Sequence, residues 1–201
     1  MLIKTAVSST LICIVLSRVG SANVLEALGH ADVPSLCAAV LIFLIMILLT
    51  SIRWGLLLGR SIATFKLFRL QILGTFFNIF LPGMVGGDAV KIYYLFKMAG
   101  IGTEGVASVF MDRYLGYADL MLLGLISYPF GLDHFAGTWI TWGLPVLVLT
   151  FALGSLFFFG LEIGQKRFEF LSRTYGYFRS YRSRKSLISK AIGLGLVVHA
   201  L

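Results

Sequence analysis

The residues best placed to do chemistry lie in one stretch, Asn78-Ile-Phe-Leu-Pro-Gly-Met-Val-Gly-Gly-Asp-Ala-Val-Lys-Ile-Tyr-Tyr. A proline, three glycines and two opposite charges here interrupt an otherwise lipid-like chain. Pro82 ends a helix, and Gly83, Gly86 and Gly87 permit positive φ and close approach of a ligand or a neighbouring backbone. Asp88 is placed to cap the helix that follows. Amides exposed at such a break attract an anionic group, and Lys91, one turn further on, adds a cation. The same residues also suit a plain turn between two helices, with Asp88 as an ordinary N-cap. No nucleotide-binding loop is present, because the Gly-Lys-Ser/Thr ending is missing.

A second polar set lies on the next apolar segment. Ser108, Asp112 and Asp119 share one helical face at spacings of four and seven, with Arg113 and Tyr117 on an adjoining face. Ionisable groups inside a membrane span are expensive, so they face a cavity or a partner of opposite sign. The expected pairs are Asp88 with Arg113, and Lys91 with Asp112 or Asp119. Alternatively, Asp112 and Arg113 lie shallow enough to reach water. None of these residues forms a catalytic constellation, so the chain is not read as a soluble enzyme.

The elements that must position these residues are membrane helices. The chain has 201 residues, of which 58% are hydrophobic and 13% charged. That balance fits a chain solvated by lipid, where backbone amides are satisfied only in helices or closed barrels. The fold class is therefore all-α, a polytopic helical membrane protein forming one domain over residues 1–201. The net charge of +8 comes in blocks between apolar runs. This pattern reads as membrane topology and anionic lipid contact rather than nucleic-acid binding. Cys13 and Cys37 sit within apolar runs and are expected to form no disulfide. His30, His134 and His199 are too scattered for a metal site, and no cofactor is expected.

Spans are expected at residues 5–19, 33–52, 105–130 and 135–161, with another starting at 187–201. The first is short, and Gly20 and Ala22 also fit a signal-peptide cleavage site. Val33 to Ile52 carries no charge and, at about 1.5 Å per residue, covers the roughly 30 Å hydrocarbon layer. Arg53, Arg60, Lys66 and Arg69 follow it as a basic loop, and a second basic stretch runs from Lys166 to Lys190 with Glu169 its only acid. The positive-inside rule puts both in the cytoplasm, together with the N-terminus, in a bacterial-type inner membrane. The aromatics among these charges, Tyr175, Tyr177, Phe178 and Tyr181, indicate a segment lying on the anionic leaflet. An even number of crossings must separate two cytoplasmic loops, and the spans 105–130 and 135–161 supply it. Residues 66–98 are then expected to form a re-entrant hairpin, broken around Pro82 to Asp88. The final run is too short to cross before Leu201, so the chain is expected to be C-terminally truncated.

With these residues in view, the chain resembles the lysylphosphatidylglycerol synthase transmembrane family, also described as flippase-like or UPF0104. The resemblance covers nearly the whole chain. It rests on Arg53-Trp54, Phe77-Asn78 leading into Leu81-Pro82-Gly83, Gly86-Gly87-Asp88 with Lys91 and Tyr94 beyond, and Ser108 with Asp112-Arg113. One departure is Lys91, where the family more often has arginine; lysine keeps the charge and loses the bidentate fork. The resemblance implies a longer multi-spanning protein that handles or translocates membrane lipids, anionic phospholipids or glycolipids, with charged or sugar headgroups. The implied headgroup-binding set is Asn78, Pro82, Gly83, Gly86, Gly87, Asp88, Lys91, Tyr94, Asp112 and Arg113. The alternative it implies is the membrane module of a lysylphosphatidylglycerol synthase-type enzyme whose catalytic domain lies outside this chain.

Overall fold

The computed structural model describes residues 10, 13, 14, 17, 29, 32–59, 62–80, 86–135, 137–160, 181 and 184–201. All regular structure among them is helical: α1 (Val33–Leu58), α2 (Thr64–Phe80), α3 (Gly86–Ala99), α4 (Thr103–Phe135), α5 (Ile140–Gly160) and α6 (Lys185–Ala200). Most of the expected first span, Pro82 and Gly83, and nearly all of the aromatic-basic stretch fall outside the described residues.

Local chemistry explains where α1 begins and ends. Asp32 caps its N-terminus by accepting from the Ser35 amide at 3.2 Å, and a proline stands in the first turn. Gly59, at φ 65°, closes it in the left-handed conformation. The helix therefore runs past the expected end at Ile52. Arg53 is buried in its last turns, not in a basic loop, because the carboxylates described below compensate its charge. Lys66 and Arg69 remain exposed, on α2.

The helices pack as a bundle in which α1 touches α2, α4 and α6, and α6 also lies against α4. Two apolar clusters hold it together. Trp54, Leu58, Leu67, Leu70, Leu95 and Val109 join α1 to α4 in one, while Leu57, Met111, Leu115, Tyr181 and Ala191 bring in α6 in the other. The Tyr181 hydroxyl donates to the Leu57 carbonyl at 2.5 Å, which ties the chain before α6 to the end of α1. Helix α5 packs against α4 through contacts that include Tyr114 stacked on Phe151, 5.4 Å between ring centroids.

Glycine sets the separation of α2 and α3. A Cβ on Gly87 would overlap the Gly74 carbonyl and stand 2.6 Å from Asn78 Oδ1. Only a residue without a side chain allows the two backbones to meet here. Most of the remaining apolar surface faces outward: Leu36, Val40 and Phe43 on α1, and Leu149, Leu153 and Leu156 on α5, are all exposed. Such a surface is stable when lipid covers it. Helices α1 and α4 are long and apolar enough to cross a membrane.

Candidate functional site: paired charges lining an interhelical cleft

Asn78 lies in the last turn of α2, its side-chain oxygen accepting from the Gly87 amide at 2.8 Å. It thereby satisfies one of the free amides in the first turn of α3. The cap expected from Asp88 is thus supplied by Asn78 from the preceding helix. Asp88 instead sits inside α3, buried, and binds two cations. Its Oδ2 accepts from Arg113 Nε at 2.8 Å and its Oδ1 from Arg113 Nη2 at 3.1 Å, a forked pair between α3 and α4. Lys91 Nζ lies 2.8 Å from Asp88 Oδ1 and 3.3 Å from Gln71 Oε1. It also stands over the Trp54 ring, 5.5 Å from the centroid. The expected Asp88–Arg113 pair is therefore present, whereas Lys91 pairs with Asp88 rather than with Asp112 or Asp119. The reason is proximity: one helical turn separates Lys91 from Asp88, and Arg53 already occupies the other two carboxylates.

Arg53 is the site residue that the sequence reading assigned to a loop. Its Nε donates to Asp112 Oδ1 at 2.8 Å, its Nη1 to Asp119 Oδ2 at 3.0 Å, and its Nη2 to the Asp112 carbonyl at 3.3 Å. Asp119 is fully buried, and Asp112 and Arg53 nearly so. The neighbouring Trp54 donates from Nε1 to Ser108 Oγ at 3.1 Å, and Ser108 donates in turn to the Gly105 carbonyl at 2.9 Å. The face expected from Ser108, Asp112 and Asp119 thus turns inward and meets the Arg53-Trp54 pair of α1. The available clue was the hydropathy around Arg53, a lone cation flanked by Ile52 and Trp54 within an unbroken apolar run.

Two triads result. Asp88 with Lys91 and Arg113 carries a surplus of one positive charge, and Arg53 with Asp112 and Asp119 a surplus of one negative charge. Because Asp112 and Arg113 are sequence neighbours, the triads lie side by side along α4. They border a cleft of about 380 Å³ lined by Arg53, Lys91, Asp112 and Arg113, together with Gln71 and Thr75 of α2 and His199 of α6. Asn78 also lines it. Gly86 starts α3 and Gly87 holds the α2–α3 contact, while Tyr94 is away from the cleft, exposed and edge-on to Tyr93. Among the described residues, no group of three His, Cys, Asp or Glu side chains is arranged to hold a metal ion.

Comparison with known proteins places this architecture. The family model described as the lysylphosphatidylglycerol synthase TM region matches residues 1–201, the whole chain. The chain belongs to this family. A curated relative, a UPF0104 membrane protein of Pyrococcus horikoshii, is 25% identical over 151 residues, which cover 72% of this chain and 45% of the relative. The chain thus spans about half the length of that relative. No solved structure matches. The protein is an all-α membrane protein of the lysylphosphatidylglycerol synthase transmembrane family. Of the residues that carried the resemblance from sequence, Arg53, Asp88, Lys91, Asp112 and Arg113 belong to the two triads, and Asp119 completes them.

Proposed function

We propose that this chain is the headgroup-handling part of a lipid translocase, acting on lipids with charged or sugar headgroups. The observation that carries the reading is the polar cleft, set among helices whose outer faces are apolar and exposed. Ligand sites commonly have volumes of about 300–1,000 Å³, and the cleft falls within that range. A lipid sliding its tails along the outer faces could place its headgroup among Lys91, Arg113 and Gln71. Lys91 and Arg113 favour an anionic group there, and Gln71, Thr75 and Asn78 offer hydrogen bonds to phosphate or sugar oxygens.

Helix lengths support the re-entrant reading of the hairpin. With 17 and 14 residues, α2 and α3 are about 26 and 21 Å long at 1.5 Å per residue. Both are shorter than the roughly 30 Å of bilayer hydrocarbon. In this reading the hairpin enters and leaves a plasma membrane of bacterial type from the cytoplasmic side, where the N-terminus also lies.

The test is transport by the full-length protein in proteoliposomes, following dithionite quenching of a fluorescent phospholipid with an anionic headgroup. Lys91→Ala should slow exchange about tenfold, the effect of losing roughly 1.4 kcal/mol of headgroup interaction. Exchange rates unaffected by the variant, or by headgroup charge, would refute the reading. The family's own description favours one rival, a membrane module serving a synthase domain elsewhere in the protein. That rival predicts lipid binding in the cleft without transport.

A further inference from the structure

Asp119 has a feature that headgroup binding does not use. Its side chain is fully buried, Oδ2 is held by Arg53, and Oδ1 has no hydrogen-bond partner among the described residues. An ionised carboxylate oxygen without a donor is far more costly in a dry interior than a neutral carboxyl, and buried acids generally escape that cost by taking up a proton. The carboxylate is also pressed against a neighbouring helix. A Cβ on Gly195 of α6 would overlap Asp119 Oδ2 and stand 2.7 Å from Arg53 Nη1. Little room is left for the carboxylate to turn away and find another donor.

The charges around it point the same way. From α1, Asp119 faces Arg53, and on its own helix Asp112 competes for the same guanidinium. Helix α6 contributes His199, which lines the cleft with Arg53 and Asp112, and α3 contributes Lys91 to the same lining, paired with Asp88. Helix α5 has no titratable side chain. One cation thus serves two carboxylates in this triad, while the adjoining triad holds two cations around one carboxylate. With all six groups ionised the pair of triads is neutral, and with Asp119 protonated it is positive by one. A metal cation would need several converging oxygens, whereas Asp119 offers a single free one; a proton needs no more.

We infer that Asp119 is a proton site linked to the cleft, so that binding of an anionic lipid headgroup is accompanied by uptake of one proton at Asp119. The inference rests on the headgroup reading above. An anion entering the cleft meets a site with net charge +1 when Asp119 is protonated and 0 when it is not. By thermodynamic reciprocity, the proton must favour the anion as much as the anion favours the proton. No covalent bond other than the O–H is made or broken.

The experiment uses full-length protein in phosphatidylcholine nanodiscs and has two arms. In the first, infrared difference spectra are recorded from acid to neutral pH without added ligand. A carboxyl C=O band that titrates in the wild type and is missing in Asp119→Asn is expected. Absence of the band, or its persistence in Asp119→Asn, overturns the proton site whether or not lipid binds. In the second, a water-soluble short-chain phosphatidylglycerol is added in weak buffer with a pH indicator. The wild type should take up a proton on binding, and its Kd should weaken by up to about tenfold per pH unit above the titration point. Asp119→Asn, which keeps the size of the side chain and removes its titration, should bind with a Kd independent of pH. A wild-type Kd indifferent to pH overturns the linkage. A titrating band with no lipid binding at any pH removes the headgroup reading and the linkage together, and leaves Asp119 as a proton site alone.

Discussion

Consider Gly195→Ala on α6, with Gly193→Ala as its control. Alanine is favoured over glycine within a helix by about 1 kcal/mol, so on propensity alone both variants should be more stable. At Gly193 nothing among the described residues lies within 4 Å of the added methyl group, and that gain should appear in full. At Gly195 the methyl overlaps the Asp119 carboxylate and lies 2.7 Å from Arg53 Nη1. The Arg53–Asp119 contact at 3.0 Å must therefore break. Asp119 would then be buried with neither oxygen paired. Removing one partner from a buried ion pair costs roughly 3–5 kcal/mol, and because interhelical hydrogen bonds in membranes contribute less, about 0.6–2 kcal/mol, the low end of the ion-pair range applies. Taking about 3 kcal/mol for the loss and 1 for the gain, Gly195→Ala should be less stable than wild type by about 2 kcal/mol. It should fall about 3 kcal/mol below Gly193→Ala. The assay is reversible unfolding of the full-length protein in mixed micelles on titration with sodium dodecyl sulfate, followed by tryptophan fluorescence. In an Asp119→Ala background the penalty at position 195 should vanish, since no carboxylate remains to be displaced. Equal stability of the two glycine variants would refute the packing argument.

The pair between α3 and α4 should show coupling: Asp88→Asn and Arg113→Gln should each destabilise by about 2–3 kcal/mol, and the double variant by at least about 1 kcal/mol less than their sum. Strictly additive losses in the same unfolding assay would mean that the two side chains do not interact. Gly87→Ala should separate α2 from α3 and release the Asn78 cap, giving a net loss of about 2 kcal/mol in spite of alanine's better propensity. Asn78→Ala alone should cost about 1 kcal/mol, and an Asn78→Ala loss equal to that of Gly87→Ala would remove the close-approach explanation. Arg53→Lys cannot reach Asp112 and Asp119 at once, so it should lower stability by about 2 kcal/mol in the unfolding assay. For topology, single cysteines at positions 66 and 97, in a background lacking Cys13 and Cys37, should be labelled from the same side of the membrane. Labelling from opposite sides would exclude the re-entrant hairpin.

Much of the helical organisation follows from sequence alone, because a chain that must satisfy every backbone amide in lipid has few choices. The charge-free run from Val33 to Ile52 lies within α1, which continues to Leu58. The inward face of α4 was also legible, since Ser108, Asp112 and Asp119 recur at helical spacing and would be costly facing lipid. Periodicity gives the direction of a side chain about its own helix axis and nothing about which neighbour it meets. The partners of Asp112 and Asp119 were therefore decided by tertiary structure, through a contact between α1 and α4 that buried Arg53 against both. The same contact corrected the loop assignment of Arg53, because an arginine is expelled from an apolar run only when it has no carboxylates to join. Lys91 fell to Asp88 rather than to the carboxylates of α4 for a local reason: a partner one turn away needs no helix packing to bring it near. The glycines show the same division. Sequence marks Gly87 as a permissive position, and only the packed bundle shows that it must admit a carbonyl of α2, and that Gly195 must admit a carboxylate of α4.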